Sequence, residues 1–171
     1  MKISENIKLN FLRKKLKKSG GKNREVKIKL PNQFLRVLII SSNENDSFFK
    51  KAATLFLNAE LNSLYLRKQK EDITVQFRYS VHESDFNLTG TLKNDKLIRL
   101  SHSKFDLIID LSNNSYLLNY FLQNAQSELI IGKLGNSVDE LHDLCFDFDS
   151  NEENFLATIN KQLNHLAHGQ K

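Results

Sequence analysis

Two short apolar runs constrain this chain more than anything else in it. Residues 36–42, RVLIISS, and 105–111, FDLIIDL, set branched aliphatic side chains next to one another instead of alternating them with polar ones. A strand of that kind has no face to give to water. It needs cover on both sides, which is the condition of a strand inside a parallel sheet. Helical patterns follow both runs. After the first, Asn45, Asp46 and Ser47 offer caps, and Phe49, Ala52, Ala53, Phe56 and Leu57 recur at helical spacing as far as Asn58. After the second, Asn113, Asn114 and Ser115 offer caps before Leu117, Leu118, Phe121 and Leu122. Further strands are expected over 61–66, over 128–131 ending at Gly132, and over 143–147. Residues 73–81 alternate strictly and predict a half-exposed strand at the sheet edge. Residues 82–103 read as a loop with a short helix near 96–100. Ser150 with Glu153 forms a capping-box pattern ahead of Phe155, Ile159, Leu163 and Leu166. Strands alternating with helices imply an α/β domain over 36–168: a single open, mostly parallel Rossmann-like sheet flanked by helices, with 169–171 as a tail. A length of 171 residues with 40% hydrophobic content suits one such domain and an appendage.

The appendage, residues 1–35, is set apart by charge. Residues 1–36 hold twelve Lys or Arg against two acids, an excess of +10, while the other 135 hold 13 bases and 18 acids, a balance of −5. Ser4 can cap a helix that ends before Gly20 and Gly21. On that helix Ile3, Ile7 and Phe11 fall on one side and Leu9, Leu12 and Leu16 roughly opposite, with bases in nearly every direction. A membrane-surface helix would carry one apolar stripe. Two opposed stripes suit a helix wedged between its own domain and another body. Beyond the glycines, Val26, Ile28 and Leu30 alternate with Lys27 and Lys29 as an extended strip, which Pro31 ends. A basic arm of this form follows phosphates by releasing their counterions and reads little sequence. The bases expected to touch phosphate are Lys8, Arg13, Lys14, Lys15, Lys17, Lys18, Lys22, Arg24, Lys27 and Lys29. With only Phe11 and Phe34 as aromatics, the arm suits phosphate and groove contacts rather than base stacking. The plainer alternative is a solubilising tail.

Motifs for chemistry are missing from the body. The first strand leads into Ser41-Ser-Asn-Glu-Asn-Asp46, not into a glycine-rich phosphate loop, and Glu44 and Asp46 would repel a pyrophosphate. Gly132-Lys-Leu-Gly135 reads as a turn. Asp106 and Asp110 lie on one face of a strand but roughly 13 Å apart, too far to work as an acid/base pair on one bond. Asp110 reads as a turn or capping residue. His142 with Cys145, and His165 with His168, are pairs at a spacing of three with no second pair to complete a metal site. Cys145 has no disulfide partner, suits a reducing compartment, and reads as a small buried hydrophobe. The acidic positions between Asp139 and Glu153 lack the spacing of a calcium loop and read as a solvated edge. No catalytic residue, cofactor or metal is expected. No apolar run reaches transmembrane length, and the N-terminus lacks the features of a secretory signal.

Two resemblances bear on this reading. Residues 105–132, FDLIIDLSNNSYLLNYFLQNAQSELIIG, resemble part of the N-terminal Rossmann-like domain of heptosyltransferase-type glycosyltransferases, where a DLVIDL-like strand, a helix and a strand ending in R-I-G follow one another. In those enzymes a second domain carries most of the nucleotide binding, and the present chain has no room for one, so the resemblance supports the fold and not the activity. The basic helix at 7–18, the strand at 37–41, FDLIIDLS and the Asp139-Glu-Leu-His-Asp-Leu144 block together resemble a small bacterial family of unknown function, and the resemblance suggests a lineage-specific large-subunit ribosomal protein. That resemblance implies a cytoplasmic, non-enzymatic rRNA-binding component of the ribosome. Its partners would be rRNA and neighbouring ribosomal proteins, with no membrane and no small-molecule substrate. The alternatives are a glycosyltransferase-like enzyme or ligand-binding domain that has lost its nucleotide-binding half, with a site near 41–46 and 110–115, and a protein adaptor using the acidic C-terminal region.

Overall fold

The computed structural model describes residues 25–68, 77–113, 115–135, 141–147 and 151–169. Within them the chain runs β1 (Arg36–Ser41), α1 (Asp46–Leu55), β2 (Glu60–Leu66), β3 (Arg78–Val81), α2 (Asp95–Ser101), β4 (Lys104–Leu111), α3 (Tyr116–Asn124), β5 (Gln126–Lys133), β6 (Leu144–Phe146) and α4 (Glu152–Gly169). The strands form one open sheet in the order β3-β2-β1-β4-β5-β6, and every neighbouring pair is parallel.

The apolar runs fill both faces of this sheet, because successive side chains on a strand point opposite ways. Leu38 and Ile40 of β1 join Ile108 of β4, Ile130 of β5 and the apolar stripe of α2 and α3. Val37 and Ile39 join Leu107, Ile109, Leu129 and Ile131 under Phe48 and Ala52 of α1 and Phe155, Ile159 and Leu163 of α4. Two helices on each face bury β1, β4 and β5 almost completely. The edges go to the two shortest strands, β3 and β6, as the alternation of residues 73–81 predicts for the former. Residues 73–76 of that predicted strand lie outside the described residues.

Local chemistry fixes the helix starts, not always through the expected residue. Asn45 caps α1 by accepting the Phe48 amide at 3.0 Å, and Asn94 caps α2 by accepting from Lys96 at 3.0 Å. Ser115 stands at the start of α3, but its side chain makes no capping bond; its carbonyl takes the Asn119 amide instead. At α4 the capping oxygen belongs to Asn151, which accepts from Glu153 at 3.0 Å and Asn154 at 3.3 Å, while Ser150 lies outside the described residues. Between β3 and α2 the chain is pinned by a buried ion pair. Arg67 places Nη2 3.0 and 3.1 Å from the two carboxylate oxygens of Asp85, and Asp85 also accepts the His82 amide at 2.8 Å.

The packing of α4 through Phe155, 1% exposed and 6.4 Å from the Phe48 ring, makes a direct test. Phe155→Ala should lower unfolding stability by about 3–5 kcal/mol in urea titration. Leu134→Ala, at a side chain left 65% exposed, should change it by no more than about 0.5 kcal/mol.

Candidate functional site

Two places on the sheet collect polar side chains that an apolar core does not need: the root of the arm, at the amino ends of β4 and β5, and the carboxyl edge beyond β1, β4 and β5.

At the root, Asp106 near the start of β4 is the centre. Its carboxylate accepts the backbone amides of Leu35 and Arg36, the latter at 3.2 Å. Lys29 lies 3.2 Å from Asp106 and 2.6 Å from Glu128 of β5. The Lys27 amide donates to the Glu128 carbonyl at 3.1 Å, and Ile28 packs on the core face beneath α1 and α4. Burial alone would push the Asp106 carboxyl up; the two amides and Lys29 outweigh it and hold the group below the usual carboxylate range. Burial likewise works against the charge on Lys29, but Glu128 and Asp106 prevail and raise it. The alternating strip at 26–30 is therefore docked on the sheet without being a strand of it.

Of the ten bases predicted to touch phosphate, Lys8, Arg13, Lys14, Lys15, Lys17, Lys18, Lys22 and Arg24 lie outside the described residues. Lys27 is half exposed, 3.5 Å from Glu25 and 4.0 Å from Glu128. Lys29 is held by two carboxylates of the body, so its place in the structure is that of an anchor between arm and domain.

The carboxyl edge is where an open α/β sheet usually takes a ligand, at the crevice where strand order reverses. Here that crevice lies between β1 and β4, and the chain's own groups bridge it. The Asn113 amide donates to Ser42 Oγ at 2.8 Å, and Lys133 Nζ donates to Asn113 Oδ1 at 2.7 Å. Burial pulls the Lys133 ammonium below its ordinary value, against the opposing pull of Asp110. Asp110, fully buried, takes the Ser112 amide at 2.9 Å with one carboxylate oxygen and contacts His142 Nε2 at 2.9 Å with the other. The turn-capping role expected of Asp110 is present, and the histidine partner is added to it. With Asp110 ionised, Nε2 must carry the proton. His142 Nδ1 has no hydrogen-bond partner among the described residues.

Gly132 explains how the imidazole fits. It sits directly across from Asp110 in the β4–β5 register. A Cβ there would come within 2.5 Å of the His142 ring. The missing side chain makes room for the protein's own imidazole, not for a phosphate. Gly135, at φ 81°, forms the turn that the sequence suggests. Cys145, one strand further on, is half-buried, less enclosed than a small core hydrophobe; β6 is an edge strand. Among the described residues no group of three or more His, Cys, Asp and Glu could hold a metal ion, and no helix is long and apolar enough to cross a membrane. Sequence reasoning sets His142 beside Cys145 and misses its contact with Asp110. The available signal was a carboxylate at the end of a strand too apolar to leave it unpaired.

The model of a family of unknown function, DUF6913, matches residues 8–166. No curated protein and no solved structure matches the chain.

Two outcomes follow from this geometry. The depressed Asp106 carboxyl contributes stability in full above its unfolded value of about 3.9 and loses it as pH falls through the lower folded value. Asp106→Asn should therefore cost about 1–3 kcal/mol at neutral pH and flatten the fall of stability on acidification below about pH 4, as read by urea titration at stepped pH. At the other edge, Gly132→Ala alone should cost about 1–3 kcal/mol. His142→Ala should cost more, yet remove most of the penalty for Gly132→Ala, so a double-mutant cycle should show coupling above about 0.5 kcal/mol.

Proposed function

We propose a function for this chain on the premise that it belongs to the DUF6913 family of unknown function, which spans most of the basic arm together with the α/β body. The protein is a non-enzymatic RNA-binding protein, an rRNA-binding component of the ribosome, and its basic arm is the anchor. The observation that carries this reading is the partition of charge: +10 over residues 1–36 against −5 over the rest. Positive charge so concentrated on one segment suits a polyanion, and a salt-sensitive one.

The body supports a scaffold role. Its switch-point crevice is bridged by Ser42, Asn113 and Lys133, and the one glycine across from Asp110 is filled by His142. Nothing in that arrangement resembles a phosphate cradle. Lys29, locked to Asp106 and Glu128, ties the strip at 26–30 to the domain. The bases before residue 25 then carry the contact with phosphate, and Lys27, half exposed, continues it to the domain surface.

Cosedimentation tests this. The full chain should travel with large ribosomal subunits in low salt, and deletion of residues 1–24 should abolish it while leaving the body folded. With about eight phosphate contacts, affinity should fall by about 10³–10⁵ between roughly 50 and 200 mM salt. Undiminished cosedimentation of the deletion variant would remove the arm from the role of anchor.

A further inference from the structure

A second cationic site lies on the body, next to the root of the arm and sharing Arg36 with it. A cleft of about 370 Å³ opens between the amino ends of β1 and β2, the start of β3 and one face of α2. Its lining includes four cations, Arg36, Arg78, Lys96 and Arg99, against the single carboxylate Glu60. Three of these cations belong to residues 37–171, whose net balance is −5, so the cleft is a local reversal of sign.

The four cations differ in what they are doing. Arg36 is 3.5 Å from Glu60 and lies over the Phe105 ring at 5.3 Å. Arg78 is engaged by Asp46 and Glu44 and lies over the Phe49 ring at 5.4 Å. Both are fixed parts of the wall. Lys96 and Arg99, three residues apart and so on one face of α2, are exposed at the mouth.

Phe77 supplies the second element. It lines the same cleft and is 41% exposed. Its φ is 65°, the only positive value for a residue other than glycine among those described. A bulky residue in that region is strained, and such strain gathers at functional positions. The backbone is held there because the Phe77 carbonyl accepts the Ser63 amide of β2 at 2.9 Å. A large ring is thus kept out in solvent, at a conformational cost, beside cationic side chains. That pairing of exposed aromatic and positive charge is how proteins hold single-stranded nucleic acid.

We propose that this cleft takes one unpaired nucleotide of the bound RNA, with its base against Phe77 and its phosphate on Lys96 and Arg99. The volume falls within the range of small-ligand sites. The site rests on the reading of the arm as an RNA anchor, and it adds what the arm lacks, an aromatic platform that requires an unstacked base.

The test uses the full chain with two RNA probes of equal charge, a single-stranded decamer and a short duplex. Phe77→Gly removes the ring and places at φ 65° the residue that tolerates it, so the variant should fold. It should bind the decamer about tenfold more weakly and the duplex as tightly as the wild type does. Lys96→Glu with Arg99→Glu should make the salt dependence of decamer binding shallower by about one in log–log slope. Wild-type decamer affinity in Phe77→Gly, or equal losses for both probes, would overturn the proposal. So would uridine monophosphate binding as tightly as the decamer and lost in the charge-reversal variant, since the cleft would then belong to a free nucleotide. Deletion of residues 1–24 separates the two readings. If it leaves both probes bound at full strength, the arm fails as anchor, while the effect of Phe77→Gly on the decamer still decides the cleft.

Discussion

Asp106 is the group on which the rest of the layout depends. Its two carboxylate oxygens gather the amides of Leu35 and Arg36 and the ammonium of Lys29, all from the segment that leads into β1. Just upstream, Pro31–Gln33 makes a single 3₁₀ turn that reverses the chain, and Phe34 drops into the core, edge-on to Phe56 at 5.9 Å. Together these fix both the height and the direction at which β1 enters. In the order β3-β2-β1-β4-β5-β6, β1 is a central strand, with β2 and β4 built against its two sides. An ionised carboxylate holding two amides and a lysine is a stronger clamp than a neutral acceptor. It ties the segment at 29–36 to β4, beside the strand from which the fold is laid out.

The same strand carries a second carboxylate with the opposite task. Asp110 lies at the other end of β4 and turns its charge inward, to His142 and the Ser112 amide. A buried polar contact contributes little net stability over a well-packed apolar pair, but it is costly to break. Its effect is therefore positional: it holds the segment before β6 over the end of the sheet, with the ring seated on Gly132. The polar groups that ligand-binding sheets of this order turn toward a cofactor are here bonded to one another.

Much of the fold was legible because it depends on patterns within short windows. RVLIIS and FDLIIDL demand cover on two faces wherever they sit, and the helical spacing of Phe155, Ile159 and Leu163 predicts their common burial. What was not legible depends on partners far apart in the chain. Asp106 meets Lys29 across 77 positions and Asp110 meets His142 across 32, and no periodicity links either pair. The capping oxygen of Asn151 is of a different kind. Ser150 and Asn151 are both good capping residues, and a shift of one residue in where the helix begins decides between them. Phe77 was invisible for a third reason: nothing in strict strand alternation marks the residue at which the backbone turns to positive φ.

The acidic balance of the body is an objection to any contact between it and RNA, and the structure shows how far that objection reaches. At least seven of its eighteen carboxylates sit against a cation: Asp85 against Arg67, Asp46 and Glu44 against Arg78, Glu152 and Glu153 against Lys51, Asp106 and Glu128 against Lys29. Each cation cancels part of the field of the acids beside it, and what remains is screened over the roughly 8 Å Debye length of physiological salt. A phosphate placed in the cleft would face Lys96 and Arg99 at its mouth and Glu60 in its lining, rather than the summed −5. A modest site of this kind would be weak alone. On the proposed reading, an arm held on the same RNA would give it a high effective concentration, so that even a single stacked base could set orientation where the arm supplied the attachment.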